Sequence, residues 1–181
     1  MGCPLAGPRS FLFPPPCLHQ TIGPEWLPGE GWLVYNFFMG QNPRYVFLDH
    51  TADAKFRARG DTFEEALANA ALAVASLIWN GTQAGGAESR TISIQGRDHE
   101  RLVVRTLEEI VFLFETEGFL LAGVDDVRLG RVEDGWRLQA VFRGERLSDT
   151  HSLRGGVKAI TYNELKIERN GGVTIQVVVD V

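Results

Sequence analysis

The densest group of chemically active side chains is Asp49-His50-Thr51-Ala52-Asp53, which lies between two predicted strands. Asp49 and Asp53 carry hard oxygen donors, which suit Ca²⁺ or Mg²⁺ better than zinc. His50 is a candidate general base. The same residue types also cap turns without any metal. One short cluster is a weak motif, so the metal and the turn interpretations both stay open.

A second candidate site is the end of the sequence, where the apolar run 175–179 is followed by Asp180 and Val181. The Asp180 side chain and a terminal carboxylate on Val181 would place two negative charges together at the end of a strand. Such a pair needs water, a basic partner or a cation. If Asp53 meets them in space, three carboxylates favour a cation site; otherwise the strand end is simply solvated.

A third cluster runs from Gly144 to His151 and leads into residues 157–162. Lys158 is either a functional cation or a solvated strand residue, and solvated strand lysines are the commoner case. His151, like His50, is either a general base or an ordinary solvated loop histidine. His99 falls in the first turn of a predicted helix, where a cation is disfavoured, and we assign it no role.

Composition excludes several classes of protein. The net charge of 18 − 23 = −5 argues against a protein that binds nucleic acid through its own field. Cys3 and Cys17 match neither a disulfide scaffold nor a zinc spacing, which favours a reducing cytoplasm. No apolar run approaches the roughly 20 residues of a membrane helix. The phosphate-binding glycine loops and the serine nucleophile elbow are also absent from the sequence.

The composition changes near residue 40. Seven of the 8 prolines lie at or before Pro28, and only 3 of the 41 charged residues lie in residues 1–40. Because proline disrupts helices and central strands, residues 1–40 are predicted to form an irregular arm, followed by one domain over residues 41–181. We expect Met39 to be the natural start; the alternative is a genuine, poorly ordered tail.

Two helices and several strands are expected in that domain. Thr62 and Glu65 form a capping box for a helix over 63–78, which Asn80-Gly81 ends. Asp98 is the expected N-cap of a second helix that stops at Gly118. The predicted strands are 45–48, 54–59, 91–95, 124–133, 136–142, 157–168 and 173–181. The order predicts an α+β single domain with two helices packed on a mainly antiparallel β-sheet.

Several of these segments resemble one known family. Residues 45–53 (YVFLDHTAD) and 60–66 (GDTFEEA) resemble the opening of the archease family. The likeness returns in residues 144–151, in VKAITY at 157–162, and in the final Asp180-Val181 pair. It covers residues 44–181 and leaves out the arm.

The resemblance implies an accessory protein without catalytic residues of its own. Archeases assist the RtcB-type RNA ligase, which joins RNA ends carrying a 3′-phosphate and a 5′-hydroxyl in tRNA splicing and RNA repair. They promote guanylylation of the ligase with GTP and its multiple turnover. RNA and GTP would therefore be met only through the ligase. Two alternatives are a metal-dependent phosphate-ester hydrolase using Asp53 and His50, and a general chaperone whose apolar helix faces bind unfolded chains.

The resemblance also implies a site. Family members hold a divalent cation, most often Ca²⁺, at positions that correspond here to Asp53, Asp180 and Val181. Lys158 and His50 become candidate contacts for the partner. The chain departs from the family pattern at Asn163, where many relatives have histidine, so any role of that histidine is absent or replaced.

Overall fold

The computed structural model of the 181-residue chain describes residues 43–49, 53–80 and 86–181. By its internal contacts the chain divides into two units, Met1–Gly40 and Gln41–Val181. All described residues belong to the second unit. The expected irregular arm over residues 1–40 and the expected natural start at Met39 lie outside the described residues and stay predictions.

The described residues form two antiparallel sheets and two helices. The elements are β1 (Tyr45–Leu48), β2 (Ala54–Gly60), α1 (Phe63–Ile78), β3 (Glu88–Gly96), α2 (His99–Glu117), β4 (Phe119–Val132), β5 (Gly135–Arg146), β6 (Ala159–Arg169) and β7 (Val173–Asp180). One sheet has the order β1-β2-β7-β6 and the other β3-β5-β4. Every strand pair in both sheets is antiparallel, so the predicted α+β fold is confirmed.

Both helices begin and end where local chemistry predicts. The Thr62 side chain accepts a hydrogen bond from the Glu65 amide at 3.2 Å, and Asp98 accepts one from the Arg101 amide at 2.7 Å. These bonds satisfy amides that would otherwise lack a partner at the helix start. Helix α2 ends at Gly118, whose φ of 63° is the left-handed conformation that glycine adopts without strain. Helix α1 ends at Ile78, as predicted, and Trp79 after it is extended.

The core joins the two sheets through the helices. Helix α1 packs on β2 of the four-stranded sheet and on β4 of the three-stranded sheet, and α2 contacts β3, β4 and β6. The apolar faces of both helices are therefore buried, as Leu67 and Leu107 show at 1% and 0% exposure. No helix among the described residues is long and apolar enough to cross a membrane.

Strand β4 corrects one sequence expectation. It begins at Phe119, whereas the alternating pattern predicted a start at Val124. Residues 119–122 are buried on both faces, so they form a continuous apolar run in which no alternation is visible. The strand also carries register shifts between Leu121 and Gly123 and between Asp125 and Arg128. Bulges of this kind have no clear sequence signature.

A candidate metal and partner site at the end of the terminal strand

Strand β7 is the element that assembles the candidate site. It lies between β2 and β6, with Ala54 opposite Val179 and Ala159 opposite Asp180. Asp53 precedes Ala54, so the antiparallel register extended by one residue puts Asp53 beside Asp180. The end of β7 is thus flanked by the starts of two other strands.

Lys158, immediately before β6, lies at the same site. Its backbone amide donates to the Asp180 carbonyl oxygen at 2.8 Å, which continues the β6–β7 ladder. Its Nζ donates to a main-chain oxygen of Val181 at 2.8 Å and lies 3.9 Å from Asp180 Oδ1. The Lys158 side chain is thus both solvated and directed at the end of β7.

The site is open to solvent. Side-chain exposure is 70% for Lys158 and 48% for Asp180, and Val181 is 41% exposed. An ion pair at such exposure contributes at most about 1 kcal/mol to folding. These residues are consequently available to an external partner, and the fold does not depend on their pairing.

The donor set fits a hard divalent cation. Asp53 and Asp180 supply carboxylate oxygens and Val181 supplies main-chain oxygen, which are the ligand types of Ca²⁺. Among residues 43–49, 53–80 and 86–181, no cluster of three or more His, Cys, Asp or Glu side chains has the spacing of a metal site. The expected set contains only two such side chains, so it would have to be completed by main-chain oxygen and by water. The Lys158 ammonium faces the same oxygens and would have to move to admit a cation there.

Of the remaining site candidates, the structure describes Asp49 and Asn163. Asp49 follows β1 and is exposed, while His50 lies outside the described residues, and its expected partner role stays a prediction. Asn163 is exposed and lies where β6 loses register between Thr161 and Lys166. The departure from the family pattern therefore falls in an irregular, solvent-facing segment.

His151 is a structural residue, contrary to the expectation of a solvated loop histidine or a free base. Its side chain is only 13% exposed, and Nε2 lies 3.1 Å from Glu145 Oε2. Nδ1 accepts from the Ser148 amide at 3.0 Å, so Nε2 carries the hydrogen that Glu145 accepts. The ring also meets Trp79 edge to face at 5.5 Å. Both nitrogens are engaged, and the loop that leads into β6 and Lys158 is fixed in place.

His99 likewise packs as part of the structure. Its ring lies between Phe63 and Trp136, with centroid distances of 4.8 and 4.7 Å. Burial lowers the pKa of His99 below its ordinary value, and the positive charge of Arg169 lowers that pKa further. The imidazole is therefore held in its neutral form near neutral pH.

The hydrogen bonds that hold the irregular segment of β6 were not predicted from the sequence. Gln176 is 3% exposed, accepts from Arg57 Nε at 2.9 Å and donates to the Glu164 carbonyl at 3.0 Å. Glu164 has a φ of 51°, and its side chain accepts from Lys55 Nζ at 2.5 Å. The only sequence signal for this network is a glutamine within the apolar run of β7.

The comparisons with known proteins decide the family. The model of the Archease protein family matches residues 45–181. The chain belongs to this family. Curated relatives named Protein archease include that of Methanosarcina mazei, 35% identical over 143 residues, covering 78% of this chain and 98% of the relative. The protein of Methanosarcina barkeri is 39% identical over 146 residues, with the same two shares.

A solved structure agrees with this assignment. The solution structure of protein 1598 of Methanobacterium thermoautotrophicum has a TM-score of 0.68 and 30% sequence identity. It covers 77% of this archease and all of the matched chain. The predicted family and the predicted fold class are both confirmed.

Proposed function

We propose that this archease is an accessory activator of an RtcB-type RNA ligase. It promotes guanylylation of the ligase with GTP and repeated turnover, and it catalyses no step itself. The observation that carries the proposal is the meeting of Lys158, Asp180 and Val181 at one exposed strand end, beside Asp53 in the register. These motif residues come from three distant parts of the sequence.

We further infer that Asp53, Asp180 and Val181 hold a divalent cation, with Ca²⁺ the best match to an all-oxygen donor set. When bound, a divalent cation would offset the negative charges of the Asp53 and Asp180 carboxylates. Lys158 supplies one positive charge at this position by itself. The charge at the strand end therefore depends on which cation faces the carboxylates.

On this proposal, the archease activates the ligase by binding one of its conformational states more tightly than the other. A partner shifts the ligase toward its guanylylation-competent state only if it binds that state more tightly than the other, and a tenfold shift takes about 1.4 kcal/mol. The end of β7 is the surface that we assign to this distinction, because Lys158 and Asp180 are 70% and 48% exposed there. RNA and GTP would be encountered through the ligase, in the cytoplasm.

The chaperone alternative has less support. Its apolar helix faces are not available to unfolded chains, since Leu67, Val74, Leu102 and Leu107 are each at most 1% exposed. The hydrolase alternative needs His50 and Asp53 to act together with a metal. His50 lies outside the described residues, and GTP hydrolysis by the archease alone is the result that would identify this activity.

The test is a guanylylation assay with purified ligase. The nucleotide attached covalently to the ligase is measured after addition of GTP, with the archease present in substoichiometric amounts. The proposal predicts a faster reaction that goes beyond one ligase per archease molecule. GTP hydrolysis by the archease alone would favour the hydrolase, and reduced aggregation of unrelated proteins without any effect on the ligase would favour the chaperone.

A further inference from the structure

A polar concavity at the end of β3 lies outside the site described above. Its volume is about 380 Å³, and it is lined by Gln95, Gly96, Arg97, Arg101, Arg105 and Asp134. We call Arg97, Arg101 and Arg105 the arginine cradle. None of the six lining residues has an apolar side chain, so the concavity is unsuited to an apolar ligand and suited to an anion.

Gly96 makes the approach of the cradle residues possible. A Cβ at this position would lie 3.0 Å from the Leu102 amide nitrogen and 3.2 Å from Arg101 Cβ. Glycine therefore lets the first turn of α2 come close to the end of β3. Arg105 follows Arg101 by about one helical turn, or about 6 Å along the axis, so both side chains leave the same face of α2.

The two cradle arginines on helix α2 donate hydrogen bonds to uncharged oxygen atoms. Arg101 Nη1 donates to the Tyr162 hydroxyl at 3.1 Å, and Arg105 Nη1 donates to the Gln95 carbonyl at 3.0 Å. In the described parts of the chain, neither guanidinium forms an ion pair with a carboxylate. A guanidinium has five N–H donors, so each of these retains donors and an uncompensated charge for an external anion.

Other arginines of this chain show the opposite arrangement. Arg90 pairs with Glu88 at 3.0 Å and Glu117 at 2.8 Å, and Arg143 pairs with Asp125. Those carboxylates raise the pKa of both arginines. Within the described residues Arg101 and Arg105 have no such carboxylate partner, whereas Arg97 of the cradle pairs with Asp98 at 3.2 Å.

The charge around the cradle differs in sign from that of the whole chain. Arg97 lies 3.2 Å from Asp98 but is 86% exposed. With the Gln95 amide oriented so that its oxygen faces donors, Arg137 donates to that oxygen at 3.2 and 2.8 Å, which places a fourth guanidinium beside the concavity. The lining residues, three arginines and Asp134, carry 3 − 1 = +2, whereas the chain as a whole carries −5.

We propose that the arginine cradle binds the phosphodiester backbone of the RNA on which the partner ligase acts. The choice of RNA rests on the proposed function; the choice of an anion rests on the cradle itself. Guanidinium groups match the geometry of phosphate oxygens, and an open polar concavity is accessible to an extended RNA strand. The contact is weak in isolation, because the acidic body opposes it. A direct contact with RNA goes beyond the expectation from the family resemblance that RNA is met through the ligase.

The test measures binding of the full chain to a fluorescein-labelled single-stranded RNA of about 12 nucleotides. Each phosphate contact with a single strand contributes about −0.7 to the slope of log affinity against log salt, so three contacts predict about −2. Affinity should then fall about 18-fold between roughly 50 and 200 mM salt. In the Arg101→Gln/Arg105→Gln variant, one remaining contact predicts a fall of only about 2.6-fold.

Arg146→Gln is the matched control, because it removes one positive charge at the far end of β5, while the near end of that strand pairs with Gly96. It should retain the wild-type salt slope. An unchanged slope in the double variant, no wild-type binding at the lowest salt, or equal displacement of the RNA by polyglutamate would each overturn the proposal. Guanylylation of the ligase by the wild-type archease, measured without RNA, is a separate readout whose failure would refute the proposed function and not the cradle.

Discussion

Replacing Lys158 with alanine should abolish most of the ligase activation and leave the fold intact. The Lys158 side chain is 70% exposed and lies 3.9 Å from an Asp180 carboxylate that is 48% exposed, so the pair contributes about 0.2–1 kcal/mol to folding. The backbone hydrogen bond from Lys158 to Asp180, at 2.8 Å, does not involve the side chain and should persist. For a chain of this size, the melting temperature should therefore fall by less than about 4 °C.

The expected loss of activation is much larger. A hydrogen bond to a charged group contributes about 1.5–3 kcal/mol, so losing such a contact with the ligase corresponds to roughly a 10- to 150-fold loss of activation. Guanylylation per folded molecule and thermal unfolding are measured side by side. Lys166→Ala, an exposed lysine on the same strand, is the control and should behave as wild type in both. A melting temperature lowered by much more than predicted, with full activity per folded molecule, would refute the assignment of Lys158 to the partner.

Three further results are expected. Added Ca²⁺ should raise the melting temperature of the wild-type protein more than that of Asp53→Asn or of a chain extended beyond Val181, because the cation binds only the folded state; equal shifts would refute the metal proposal. His99→Phe should weaken the dependence of stability on pH below about pH 6.5. Because the pKa of His99 is lowered in the folded state, the unfolded chain binds the proton first as the pH falls. The stability of the wild type therefore decreases with decreasing pH, by up to about 1.4 kcal/mol per pH unit. Denaturant unfolding at several pH values measures this, and an equal slope of stability against pH in both proteins would contradict it. Trp79→Phe removes the hydrogen bond from Nε1 to the Leu121 carbonyl and leaves that buried oxygen unpaired. The free energy of unfolding should therefore fall by about 1–3 kcal/mol. A change within about 0.5 kcal/mol of zero in chemical denaturation would contradict the role of this bond.

Local chemistry predicted most of the helical structure. The apolar spacing over 63–78 and the caps at Thr62, Asp98 and Gly118 depend on residues a few positions apart, so they are readable along the chain. The strands were predicted where their side chains alternate between core and solvent. Residues 119–122, buried on both faces, do not alternate, and the division of the strands between two sheets depends on pairings that no local pattern encodes.

The candidate site was only partly predictable for the same reason. The types of Asp53 and Asp180 suggested a cation, and the resemblance to archeases grouped them, but the residues alone did not show that they meet. Lys158 reaches Val181 because β6 and β7 pair across a hairpin with an irregular register. The hydrogen bonds of His151 with Glu145 and Ser148 depend on the conformation of a loop, which no sequence pattern encodes.

The role of the β7 end in ligase activation is tested most directly by the initial rate of ligase guanylylation with GTP. The rate is compared for the ligase alone, with wild-type archease and with Asp180→Asn, which keeps the shape of the side chain and removes its charge. The account predicts a marked acceleration by the wild-type protein and a loss of most of it in the variant, with the melting temperatures of the two proteins close together. Equal acceleration by both proteins, or none by the wild type, would contradict it.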